Sequence, residues 1–174
     1  MTDGDCIRPV APRYKGFAQF EYEHVVREGS ASFSWVEFDE PSQRNVLVKP
    51  LNESRVALVS TAGARLSSQD RFNQWPASRL GDHTFRVIPA DTEKLRFNHG
   101  GIDSKVVYRD PDIVFPIRLL RDLAAEGEIG EVSPRAYSLM GYCADPEPLV
   151  SESAPAVADA IEEDAPDVVL LVPA

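Results

Sequence analysis

From residue 51 onward the chain alternates short β-branched runs with amphipathic stretches. Arg55 to Thr61 (RVALVST) is a nearly continuous apolar run that stops at Ala62-Gly63, the pattern of a strand buried on both faces. Phe85 to Pro89 and Leu95 to Asn98 are shorter strand candidates. In Pro116 to Glu126 (PIRLLRDLAAE), Ile117, Leu120, Leu123 and Ala124 share one helical face, with Pro116 at the start and Gly127 after the end. Ala136 to Met140 predicts a strand, Ser153 to Glu163 a helix opened by Ser or Ala-Pro, and Asp167 to Val172 (DVVLLV) another fully buried strand.

The first fifty residues differ. Residues 1–13, with Pro9 and Pro12 and few large apolar side chains, predict a mobile tail. Residues 14–50 predict an N-terminal extension. Within it Phe17, Phe20, His24 and Val25 share a helical face that ends at Gly29, and Ser32 to Phe38 alternates like a strand or hairpin. Strands separated by helices require crossover connections, so residues 51–174 predict an α/β domain: a mostly parallel sheet flanked by helices, three-layered and flavodoxin/Rossmann-like. Ligands of such sheets sit at the carboxyl ends of strands. That rule directs attention to Thr61 to Arg65, Pro89 to Asp91, Asn98 to Asp103, Met140 to Cys143, and Pro173 with Ala174.

Charge narrows the functional classes. The chain has 174 residues, 28 acidic and 18 basic, for a net charge of −10. A free-standing nucleic-acid binder needs a basic surface and is not expected. The acidity is concentrated: Ala136 to Ala174 holds Asp145, Glu147, Glu152, Asp159, Glu162, Glu163, Asp164 and Asp167 and no Lys or Arg. No apolar run is long enough to span a bilayer, and the opening residues lack the basic and apolar regions of a signal peptide, so the expectation is a cytoplasmic protein that does not enter a membrane. Cys6 and Cys143 are the only cysteines, which excludes a disulfide scaffold and a four-cysteine zinc site.

Candidate chemistry centres on Asn98-His99-Gly100-Gly101-Ile102-Asp103. Two glycines let the backbone approach a ligand, while His99 and Asp103 supply an imidazole and a carboxylate. The structural alternative makes His99 a cap on a carbonyl and Asp103 a helix N-cap or turn residue. Ser60 to Ala64 lacks the Lys-Ser/Thr pair of a P-loop and the spaced glycines of a dinucleotide site. His83, His99 and Asp103 follow no metal-ligand spacing, so neither a metal nor a cofactor is expected. Cys143 is a weak candidate nucleophile, since Asp145 and Glu147 nearby disfavour its thiolate.

In order along the chain, KPLNESRVALVSTAG (49–63), GDHTFRVIPADT (81–92), HGGID (99–103), DPDIVFPIRLLRDLAAEGEIGEVSPRAYSLMGY (110–142) and DVVLLVP (167–173) resemble the glycine/sarcosine/betaine/D-proline reductase family, in particular its selenoprotein B-type subunits. The resemblance covers about residues 49–174 and implies an α/β subunit that helps cleave a carbon–nitrogen bond reductively in a small amino acid or its N-methylated relative. In that family the attacking selenol or thiol follows the strand corresponding to Asp167 to Pro173, a loop without a counterpart here. The expectation is therefore a second subunit that carries the reactive Cys or Sec, or a homo-oligomer; the alternative is a non-catalytic binding or regulatory relative. Matching positions rank His99 as a hydrogen-bond donor or proton carrier and Asp103 as its orienter or a ligand for an amine. Gly100, Gly101, Asp91 and Thr92 line the expected substrate pocket. Arg86 and Arg135 are the cations for a substrate carboxylate, each with a structural ion pair as the alternative role.

Overall fold

The computed structural model describes residues 45–73, 81–99, 102–143 and 145–174. The expected tail at 1–13, the extension up to residue 44, and Gly100 and Gly101 lie outside them.

Among the described residues, six strands and three α-helices follow a one-turn helix at Leu51–Glu53, with further short helical turns at Pro111–Ile113 and Leu149–Ser153. They are β1 (Arg55–Ser60), β2 (Ala64–Arg65), β3 (Arg86–Pro89), β4 (Arg96–Phe97), α1 (Ser104–Arg109), α2 (Ile117–Ala125), β5 (Glu131–Ser138), α3 (Ala154–Asp164) and β6 (Val168–Val172). The main sheet has the order β3-β5-β1-β6. β1 pairs in parallel with both β5 and β6, whereas β3 runs antiparallel to β5. β2 and β4 form a separate antiparallel ladder. The architecture is thus the expected α/β one, a mostly parallel sheet flanked by helices.

β1 is central, so its apolar run is covered on both faces: Val56, Ala57 and Leu58 are buried. The core continues through Ile88, Val107, Phe115, Ile117, Leu120 and Ala136. Ile117 and Leu120, on the helical face expected of the best amphipathic segment, place α2 against this core. α2 starts one residue later and ends one residue earlier than the apolar pattern suggests.

Three sequence expectations change. β5 begins at Glu131, five residues before the expected Ala136, because the strand accommodates Pro134 through a register shift: Val56 faces Val132 but Leu58 faces Ala136. Proline cannot donate to a ladder and enters a central strand only at such a bulge. The carbonyl of Pro134 instead accepts the N–H of Ala90 at 2.9 Å. β6, expected to be fully buried, is one of the two edge strands of the sheet among the described residues, and Val169, Leu170 and Leu171 are exposed, Leu171 by 68%. An apolar run fixes the side-chain character of a strand, not how many neighbours it has. Finally, α1 is a helix of six residues that the β-branched Val106-Val107 conceals from propensity.

Two buried serines shape the loops at the carboxyl end of the sheet. Ser60 Oγ donates to the Val114 carbonyl at 2.6 Å and accepts the N–H of Ala62 at 3.1 Å. Ser138 Oγ accepts the N–H of Ala64 at 2.7 Å. Gly63 then turns with φ +62°, and a Cβ there would stand 2.2 Å from the Asn98 carbonyl oxygen. Only glycine fits this approach, which brings the Asn98-His99 segment to the ends of β1 and β5.

Candidate functional site

The ends of β1, β5 and β6 converge on one corner occupied by Thr61, His99, Gly141 and Ala174. Thr61 N–H donates to Val172, and its hydroxyl oxygen accepts the Ala174 N–H at 2.8 Å. These bonds carry the β1–β6 pairing past the strands themselves. Gly141 is the opening through which the imidazole fits: a Cβ there would lie 2.4 Å from the Ala174 carbonyl oxygen and 2.5 Å from His99 Nε2. Asn98 is held from behind by Arg65, whose Nε donates to Asn98 Oδ1 at 2.7 Å while its Nη1 donates to the Leu66 and Gln69 carbonyls.

Burial lowers the pKa of His99 from its ordinary value, and a hydrogen bond to the Ala174 backbone offsets part of that effect. The imidazole is therefore held toward its neutral form, in which one ring nitrogen donates and the other accepts. A neutral, half-buried imidazole at a strand end is equipped to take up or return a proton.

The other expected site residues separate into distinct places. Asp103 caps α1, accepting the Lys105 N–H at 2.9 Å, as its structural alternative required. Its carboxylate is exposed. Arg86, at the start of β3, is paired with Ser138 and so lies near the same sheet edge, but its guanidinium is spent on the Asp70 and Phe85 carbonyls and the Thr84 hydroxyl, over the Phe72 ring at 4.2 Å. With Ser68, Gln69, Asp70 and Thr84 it lines an open depression of about 460 Å³.

Asp91 and Thr92 follow the other end of β3, beside Arg135 in the ladder, and do not join His99. Arg135 itself grips α3. Its Nε and Nη2 donate to both Asp164 carboxylate oxygens at 2.8 to 3.0 Å, and Nη2 also meets Glu163 and the Ala160 carbonyl. Tyr137 donates to the same Asp164 at 3.0 Å, and burial, then this carboxylate, pushes the phenol up to about 12.

Cys143 donates its thiol hydrogen to the Asp145 carbonyl at 3.0 Å. Burial pushes the thiol up first and the charges of Asp145 and Asp82 add to it, against a smaller opposing effect of the Asp145 backbone. Its setting thus disfavours the thiolate. Asp82 is committed to the N–H groups of Asn73 and Thr84 and to the Thr84 hydroxyl. No group of three or more His, Cys, Asp or Glu side chains among the described residues could hold a metal ion. No helix among them is long and apolar enough to cross a membrane.

The contribution of Gly141 was not visible in the sequence, although Met140 to Cys143 was marked as a strand end. A small residue just beyond a central strand is the only signal, and its meaning depends on which side chain fills the space.

Comparison with known proteins places the chain in a family. Residues 31–174 match the family model for glycine/sarcosine/betaine reductase selenoprotein B. The chain belongs to this family. Over 149 residues, 84% of the chain, it is 34% identical to the D-proline reductase subunit gamma of Acetoanaerobium sticklandii. Over 99 residues, 56% of the chain, it is 30% identical to the glycine reductase complex component B subunit gamma of Carboxydothermus hydrogenoformans and 31% identical to the sarcosine reductase complex component B subunit beta of Peptoclostridium acidaminophilum. The match spans 60% of the D-proline reductase subunit and 23% of each of the other two. No solved structure matches the chain. The selenoprotein B family resemblance seen in the sequence motifs therefore holds across most of the chain.

Proposed function

We propose that this chain is a subunit of a thiol- or selenol-dependent amino-acid reductase, acting on a small amino-acid-derived substrate with a Cys or Sec supplied by another polypeptide. The observation that carries this reading is the seating of His99 against Gly141 and Ala174, beside the end of β6. This is the strand end after which the family resemblance places the reactive chalcogen.

For glycine, sarcosine and D-proline the overall reaction replaces the substrate C–N bond with a C–H and an N–H bond and consumes two electrons and two protons. The quaternary nitrogen of betaine leaves as a tertiary amine, so only the C–H bond forms and one proton is consumed, with no proton transfer to nitrogen. In each case a dithiol or selenol–thiol pair becomes a disulfide or selenenyl sulfide. The chalcogenolate attacks carbon and the amine leaves, with a proton except from betaine. A second thiolate then attacks the chalcogen, and the released carbon takes the electron pair and a proton. Neutral His99 accepts the proton of the incoming chalcogen and, except with betaine, returns it to the leaving amine.

Two further features support the need for a partner. Cys143 is poorly suited as the nucleophile because burial and acidic neighbours disfavour its thiolate. The β6 edge carries exposed Val169, Leu170 and Leu171, a surface that another strand or chain would cover. The relatives are named as subunits or components of reductases acting on D-proline, glycine, sarcosine and betaine. These four compounds are the substrates to test.

With its partner and a dithiol reductant, the protein is expected to release amine or ammonia from one of them, or, for the ring of D-proline, to open it. His99→Gln is expected to lower turnover by about tenfold or more while leaving the complex assembled, in the range typical of a lost acid–base group. Full turnover in His99→Gln would refute the role of this corner. A complex that binds one of these amino acids and never consumes it would favour the non-catalytic alternative.

A further inference from the structure

A second cavity, of about 290 Å³, lies among the segment Thr92 to Phe97, helix α1 and the turn that leads into α2. Its apolar part is formed by Val107, Phe115 and Ile117, all buried in the core. At its side the Phe97 and Tyr108 rings meet edge to face, with centroids 5.9 Å apart.

The charges around it do not balance. Lys94, Arg96, Arg109 and Arg118 line the cavity, against Glu93 and Asp112. Both acids are already engaged, Glu93 with Arg121 and Asp112 with Arg118, each at 2.8 Å. Lys94, Arg96 and Arg109 form no ion pair with any described residue. By contrast, Arg55 is occupied by Glu131, Arg65 by Asn98 and carbonyls, Arg86 by carbonyls and Arg135 by Asp164. Three uncompensated cations around one concavity raise the local potential and favour an incoming anion. The Tyr108 hydroxyl accepts the Phe97 N–H at 3.3 Å, which leaves its own proton to donate.

We propose that this cavity binds a small organic anion, a carboxylate or phosphate carried on an apolar body. Arg96 and Arg109 supply planar guanidinium forks for the oxyanion, Lys94 adds a point charge, and the apolar body packs on the accessible faces of Phe97 and Tyr108. The volume sits at the small end of the roughly 300–1,000 Å³ typical of ligand pockets, which restricts the body to about a single ring or a short chain. His99 and Gly141 take no part in lining it, so the proposal stands independently of the reductase reading.

Calorimetric titration of the full chain with benzoate, phenyl phosphate and inorganic phosphate at low ionic strength tests it. At least one of the two organic anions is expected to bind with one-to-one stoichiometry, and the tighter of the two identifies the headgroup. The double substitution Arg96→Gln with Arg109→Gln is expected to weaken that binding by about tenfold or more, Lys94→Gln to weaken it less, and His99→Gln to leave it unchanged. All three cationic side chains are exposed, so folding is expected to survive, and a circular dichroism melt verifies it. Absence of binding by both organic anions would overturn the proposal. So would binding indifferent to the double substitution in a folded variant, or inorganic phosphate bound as tightly as phenyl phosphate.

Discussion

His99 Nε2 lies 2.5 Å from the point where a Cβ on Gly141 would stand. The glycine is required by space and not by backbone conformation, since it is absent from the residues with positive φ. Gly141→Ala must therefore displace the imidazole or the Ala174 carbonyl. Overpacking of this kind costs about 1–3 kcal/mol. For a domain of this size each kcal/mol lowers the melting temperature by roughly 2–4 °C. A thermal melt measures the loss, and the ring-proton NMR signals of His99 are expected to move with it.

The protonation of His99 has a definite sign. Burial lowers its folded-state pKa below the unfolded value of about 6.5, so the native state binds the proton less readily than the unfolded chain. The stability linked to this group is fully present above about pH 6.5 and declines as pH falls toward the folded-state value. An NMR titration is expected to give a midpoint below 6.5, and His99→Gln to remove this part of the acid sensitivity. A midpoint above 6.5 would contradict the buried, neutral imidazole.

Tyr137 gives the opposite dependence at high pH. Its phenol is pushed up to about 12, first by burial and then by Asp164, so its contribution is complete below about pH 10 and is lost between about pH 10 and 12. Tyr137→Phe forfeits the hydrogen bonds to the Ala160 carbonyl and Asp164 and is expected to cost about 1 kcal/mol at neutral pH, with a correspondingly weaker alkaline decline. Denaturant unfolding at several pH values measures both effects. Asp164→Asn is expected to destabilise more than Tyr137→Phe, because it also releases Arg135 from α3.

Cys143 is expected to react slowly. Burial and the Asp145 and Asp82 charges raise its thiol pKa, so iodoacetamide should alkylate it at neutral pH more slowly than it alkylates free cysteine. Asp145→Asn is expected to speed the reaction modestly. Alkylation faster than that of free cysteine would restore Cys143 as a candidate nucleophile.

Much of this architecture was legible in the residues. The continuous apolar run of β1 and the one-sided face of α2 are local patterns, and both placed their elements to within about a residue. Where a tertiary constraint overrides local preference the pattern misled. Pro134 concealed the first half of β5 because a bulge, not the residue type, accommodates it. DVVLLV did not disclose that its strand lies at an edge, since edge or centre is decided by what pairs beside it. His99 and the strand-end rule pointed to the corner where the ends of β1, β5 and β6 meet, but Gly141 acquires meaning only once the imidazole fills its missing Cβ. The alternative roles weighed for Arg135 and Asp103, ion pair and helix cap, are the ones the fold displays. The unpaired trio Lys94, Arg96 and Arg109 is assembled from two segments that the fold brings together, so no window of sequence contains it.

The central claim is that the reactive chalcogen comes to the His99 corner on another polypeptide. Its most direct test is to purify the native protein under reducing conditions, label it with iodoacetamide, and separate the chains by denaturing electrophoresis with intact-mass analysis. The account predicts a second polypeptide that co-purifies and carries the rapidly labelled Cys or Sec, distinct from the polypeptide that contains His99. It further predicts that Leu171→Glu on the exposed β6 edge releases the partner while leaving the subunit folded. Rapid labelling on the same polypeptide that contains His99, or a folded protein that retains no partner, would contradict it.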